Sequence, residues 1–155
     1  MNYLFNYIID SFVCIMKYLN RHRIILDREN KEPYLERFYL FLKEREDFPF
    51  NIFLHKFLKS DPDDLHDHPW NYRTFIICGG YWEHTEDDKK WKGPFSYIYS
   101  DANRLHRLEL DKDINYCWTL FIPGKKYRDW GFKTKNGWIQ NEKYIKSKEG
   151  NKKIR

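Results

Sequence analysis

Apolar residues recur at helical spacing over the first twenty positions: Leu4, Phe5, Ile8, Ile9, Phe12, Ile15, Met16 and Leu19. Asn6, Asp10, Cys14 and Lys17 form the narrower opposite stripe. Side chains three and four apart share a helix face, so this pattern predicts an N-terminal helix packed against the rest of the chain. Asn20 to Pro33 is polar and charge-rich and reads as a connection. Beyond Pro33 the pattern changes. Tyr34 to Leu42 is bulky and aromatic, which favours strand. Asn51 to Lys59 alternates, with Ile52, Leu54 and Leu58 sharing one face with Lys56, and Phe53, His55 and Phe57 on the other. That is the period of two of a strand.

From there, turn signals recur every eight to twelve residues, as in a sandwich or barrel. Ser60-Asp61-Pro62-Asp63-Asp64 and Asp101-Ala102-Asn103 are turn clusters. Gly79-Gly80 and Lys135-Asn136-Gly137 read as hairpin turns, because such residues tolerate positive φ. Strands are predicted over Asn71–Cys78, Tyr81–Thr85, Phe95–Tyr99, Leu105–Leu110, Tyr116–Ile122, Trp130–Phe132 and Trp138–Ile139, with Glu86–Pro94 a solvated loop. The sum is an all-β barrel of eight to ten strands behind one α-helix. Residues 1–32 make a helical arm and linker, 33–144 the barrel, and 145–155 a flexible tail.

Composition narrows the class. A chain of 155 residues is one domain, and 41% hydrophobic with 33% charged residues excludes a disordered or membrane-embedded chain. The N-terminal apolar run is short, interrupted by Asp10 and followed by no small-residue cleavage site, so neither a membrane span nor a signal peptide is expected. Cys14, Cys78 and Cys117 are scattered and odd in number, which predicts core thiols and a reducing, cytoplasmic location. Six basic and two acidic residues between Gln140 and Arg155 carry +4 of the net charge of +5. The tail is therefore expected to contact anionic surfaces weakly. No basic stripe with interleaved aromatics marks a nucleic-acid binder.

The candidate chemistry lies in Leu65-His66-Asp67-His68-Pro69-Trp70. Two histidines one residue apart on a strand point to the same face, while Asp67 points away as a turn or supporting residue. Imidazole is a ligand for iron, zinc, nickel and copper. A third histidine, His106, stands in Arg104-Leu105-His106-Arg107-Leu108, so His66, His68 and His106 are predicted to assemble one metal site from separate strands. His55 reads as a partly buried structural histidine.

These segments, together with Leu54-His55-Lys56-Phe57, Gly79-Gly80-Tyr81-Trp82-Glu83 and Trp130-Gly131-Phe132, resemble the cupin superfamily. More narrowly they are similar to small cupin-like proteins of bacteria, phages and large viruses that carry the Leu-His-Asp-His-Pro-Trp motif. The resemblance covers roughly residues 34–144. It implies a double-stranded β-helix, a jelly-roll-like barrel, with one divalent metal ion in its mouth: iron first, then zinc, nickel or manganese. The first cupin motif places a glutamate shortly after the HxH pair; here Tyr72, Arg73 and Thr74 stand in that stretch, and no carboxylate does. Glu83 is the substitute carboxylate, as ligand or as general base, with Tyr81 on the same strand face. Arg73, Arg107 and Arg128, with Trp70 and Trp130, are the candidates for binding substrate. The expected function is a metal-dependent enzyme, dioxygenase-like, acting on a small polar molecule, and such barrels often form homodimers. The alternative is a non-catalytic cupin that binds a sugar, nucleotide or protein partner.

Overall fold

A computed structural model describes residues 3–28, 30–44, 48–61 and 64–152. Helix α1 (Tyr3–Tyr18) is followed by β1 (His22–Leu26), β2 (Pro33–Tyr39), β3 (Phe53–Phe57), β4 (Tyr72–Gly79), β5 (Tyr81–His84) and β6 (Lys89–Lys92). Then come β7 (Tyr97–Ser100), β8 (Arg107–Leu110), β9 (Cys117–Pro123), β10 (Gly131–Thr134), β11 (Gly137–Gln140) and a closing helix α2 (Asn141–Lys152). One layer is a six-stranded antiparallel sheet in the order β1-β2-β3-β9-β4-β7. The other consists of β6-β5-β8 and the hairpin β10-β11. The HxH segment joins the two parts of this second layer: His66 bridges both to His106, just before β8, and to Phe132 in β10. His66 and His106 exchange reciprocal backbone hydrogen bonds of 2.9 Å. The architecture is the all-β jelly roll with an N-terminal helix that the sequence predicts.

Alternation decides which residues meet inside. On β3, Phe53 and His55 are buried, while Leu54 turns outward to the helix side. On β4, Tyr72, Thr74 and Ile76 are buried in turn. Ile76 joins Tyr81, Ile98, Leu108 and Cys117 in one core cluster, against which Phe57 and Leu110 pack. A second cluster forms on the outer face of the six-stranded sheet, where Met16 of α1 meets Phe38 and Trp118, flanked by Ile9, Phe12 and Val13. Fully burying a side chain of this size contributes about 1.5–3 kcal/mol, and α1 is held on the sheet by Met16 with the partly buried Ile9, Phe12 and Val13, whereas Ile8, Ile15 and Leu19 of the predicted stripe are exposed. No helix among the described residues is long and apolar enough to cross a membrane.

Several local expectations are corrected. Gly79-Gly80 does not close a hairpin: β4 pairs with β9 and β7, whereas β5 pairs with β6 and β8. The glycines form the corner at which the chain changes sheets, with Gly79 at φ 76° and its missing Cβ leaving room for the Tyr116 carbonyl. The 20–33 connection contains edge strand β1, and the solvated loop 86–94 contains β6. Cys14 is exposed rather than in the core. The chain from Asn141 to Lys152 is helical, and Tyr144 stacks on Phe132 with ring centroids 4.1 Å apart. Of the basic tail, Lys153 and Arg155 lie outside the described residues.

Candidate metal centre

The HxH segment is extended but pairs only through the isolated bridges of His66, and His68 N donates to Ala102 O at 3.0 Å. That backbone is enough to put both imidazoles on one side. The ring centroids of His66, His68 and His106 form a nearly equilateral triangle of 5.1, 5.0 and 5.1 Å. One ring nitrogen from each lies within 4.8 Å of the others. The Nε2 atoms of His68 and His106 face each other at 2.8 Å. Metal–nitrogen bonds of about 2.0–2.1 Å put neighbouring ligand atoms roughly 3 Å apart, so this spacing suits two adjacent ligands of one ion. His66 Nδ1 is buried, with no partner in good hydrogen-bond geometry among the described residues. The donor set therefore fits a divalent transition metal.

Electrostatics keep these rings ready to donate lone pairs. Burial, opposed by Asp61 and reinforced by His106 and Arg28, pushes His66 down to about 4. Burial and the other two histidines hold His68 well below the ordinary imidazole range. Both are neutral at pH 7 and free of competing protons. Glu83, 2% exposed, sits behind His106, with Oε1 3.2 Å from Nδ1. Its other oxygen accepts from Arg104 at 2.9 Å, and Lys92 Nζ lies 3.7 Å away. Burial raises this carboxyl, but His106, Arg104 and Lys92 together outweigh it and hold Glu83 below its ordinary value. A carboxylate on Nδ1–H fixes the ring and directs the Nε2 lone pair inward.

Asp67 supports the centre from the opposite side of the segment. It is 3% exposed and accepts from Gly131 N at 2.6 Å, Arg128 Nη1 at 2.9 Å and Trp138 Nε1 at 3.0 Å. The HxH segment is thereby tied to both strands of the β10–β11 hairpin.

The histidines open on a cavity of about 300 Å³ between the two layers. Trp70, Trp130 and Tyr81 line it, as do His55, Phe57, Tyr72, Phe121 and Phe132. The three arginines expected at the substrate are elsewhere. Arg73 is exposed on β4 over the Tyr99 ring, Arg107 pairs with Glu109 and His84, and Arg128 spans Asp67 and the carbonyls of His68 and Ala102. Glu83 is likewise not a wall residue. Among the residues that face the cavity without having been predicted at the site are Tyr72, Arg28 and Arg37. The Tyr72 hydroxyl is 3.2 Å from His106 Nε2, and its ring centroid is 4.8 Å from that of His68. Its signal was positional, since Tyr72 occupies the stretch where the cupin motif carries its glutamate. Arg28 comes from the connection between α1 and the barrel and lies over the rings of Trp130 and Phe132.

No protein-family model matches the chain, and no curated protein matches it in sequence. Solved structures do match in fold. A cupin-2 domain protein of Rhodospirillum rubrum, Rru_A2000, superposes with a TM-score of 0.58 at 12% identity, over 75% of this chain and 78% of that one. The polyketide cyclase RemF of Streptomyces resistomycificus gives 0.53 at 14% identity, over 68% and 77%. The iron(II) form of HppE gives 0.53 at 13% identity, over 67% and 57%. The chain has the cupin fold.

Proposed function

We propose that this cupin-fold chain is a metal-dependent enzyme acting on a small molecule in the cavity, with one divalent ion, iron foremost, held by His66, His68 and His106. The observation that carries this reading is the convergence of three imidazoles on one cavity wall, two of them uncharged by burial. That one fold neighbour is an iron(II) protein agrees with it. An iron ion held by these three imidazoles would supply Lewis-acid and redox chemistry at the cavity wall.

The rest of the work belongs to the protein. Glu83 is a positioning residue: it holds the Nδ1 proton of His106 and so fixes which nitrogen faces the site. Tyr72 presents a hydroxyl beside His106 Nε2, and burial raises its pKa, so it serves as a neutral hydrogen-bond donor. Tyr81 shapes the wall from the core cluster, and its phenol is likewise kept protonated by burial. Trp70 and Trp130 supply flat apolar surface for the body of the ligand and keep water from it.

Elemental analysis of protein purified without a nickel column tests the proposal, with about one iron per chain expected and His66→Ala reducing it to background. Oxygen consumption with a panel of organic acids and thiols then tests the oxidative chemistry. Zinc in place of iron, with no oxygen uptake, would redirect the reading to hydrolysis or isomerisation. A metal-free native protein, unaffected by His66→Ala, would end it.

A further inference from the structure

One wall of the cavity carries a positive charge that no carboxylate among the described residues neutralises. Arg37, on β2, lines the cavity. Its Nε donates to His55 Nε2 at 3.0 Å, and the guanidinium lies 4.6 Å from the centroid of the Phe53 ring. The Tyr39 phenol bonds it as well, and the cross-strand neighbour Arg23 adds a like charge. No carboxylate among the described residues pairs with it. The two carboxylates of the cavity wall are engaged elsewhere. Asp61 accepts from the Tyr34 hydroxyl and from Leu108 N, and Asp27 accepts from Asn30 N and Lys59 Nζ. His55 brings no negative charge, because a ring nitrogen that accepts from a guanidinium belongs to a neutral imidazole. Arg37 is half-buried, and a cation taken partly out of water without a counter-ion is costly; a ligand anion would complete it.

The path from this cation to the histidines is continuous. His55 stacks on Phe121 at 5.0 Å, Phe121 meets Tyr72 at 5.2 Å, and Tyr72 touches His106. Two rings separate the arginine–histidine pair from the metal centre along an apolar, aromatic wall.

We propose that Arg37 anchors the carboxylate of a small monocarboxylic acid with an apolar or aromatic body, whose other end is held against His66, His68 and His106. One guanidinium beside a neutral histidine balances one negative charge, and its planar edge matches a planar carboxylate. The assignment names the substrate class of the enzyme proposed above and rests on that reading for the ligand's far end alone.

Calorimetric titration of the full chain with benzoate, phenylacetate and 3-phenylpropionate, their neutral amides and inorganic phosphate tests it. At least one acid binds, its amide binds at least about tenfold more weakly, and Arg37→Gln weakens the acid about tenfold to a hundredfold, the loss of a charge-assisted hydrogen-bonded pair. Arg37→Lys, which keeps the charge and loses the fork, falls between; with the acid–amide comparison it carries the test should Arg37→Gln not fold. The assignment is overturned if no acid in the series binds, if acid and amide bind alike, if Arg37→Gln binds the acid like the native chain, or if phosphate binds more tightly than the acids. Repeating the titration on His66→Ala separates the two proposals. Acid binding that depends on Arg37 in a chain that never held metal removes the metal reading and leaves this one standing.

Discussion

Glu83 touches the centre from behind, and its effect is therefore felt through His106. Replacing it with glutamine keeps the shape but removes the charge that orients the imidazole. Loss of such an outer partner typically weakens a metal site about tenfold to a hundredfold. Competition against a chelator should show that drop for Glu83→Gln with little change in melting temperature, and unchanged affinity would mean that Glu83 serves only the Arg104 and Lys92 ion pairs. At this scale the sequence is uneven. The HxH pair is legible because period-two geometry alone puts His66 and His68 on one side. Arg37 is not, because a charged residue within Tyr34-Leu35-Glu36-Arg37-Phe38 looks the same whether it faces water or a cavity. Arg73 and Arg107 lie close in sequence to the motif strands, yet the sheets turn both away from the cavity.

Elements were legible where their partners are local. Lys135-Asn136-Gly137 closes the β10–β11 hairpin as expected, with Gly137 at φ 97° and open space around it. The corner at Gly79 depends on β9, some forty residues on, which no local pattern reports. The two glycines should therefore respond differently to alanine. Gly137→Ala is expected to cost about 1–2 kcal/mol for the left-handed backbone. Gly79→Ala bears that cost and about 1–3 kcal/mol more, because its Cβ would meet the Tyr116 carbonyl. Urea unfolding midpoints would decide, and equal losses would refute the corner argument. Strands β1 and β6 were missed for a shared reason: each lies at a sheet edge, mostly exposed, and so lacks alternation. Helix α2 shows no apolar stripe, and its attachment rests on Tyr144 against Phe132.

For the molecule as a whole, the buried His55 links stability to pH. It is 4% exposed, enclosed by Phe53, Phe57 and Phe121, and faced by Arg37. Burial first, then the Arg37 charge, depresses its pKa well below 6.5. The unfolded chain therefore takes up this proton before the folded one does, so stability is complete above about pH 6.5 and falls as the solution is acidified. The slope from this group is about 1.4 kcal/mol per pH unit. His55→Gln, which can still accept from Arg37, should flatten the stability profile by that amount between pH 6.5 and 5. A profile of unchanged steepness would place the sensitivity elsewhere. The all-β class and the cupin resemblance were readable at this scale because turn spacing and the histidine motifs are distributed along the whole chain.

The Asp67 clamp has a temporal meaning. His66, His68 and His106 all precede residue 107, but the segment carrying the first two is fixed by Gly131, Arg128 and Trp138. On a ribosome, all three imidazoles emerge before the hairpin that holds them in place. The ligand triangle is thus closed by a stretch of chain that contributes no ligand, and a tight site forms only once that later stretch has docked. A metal ion held by these histidines would then load after the barrel has folded instead of nucleating it.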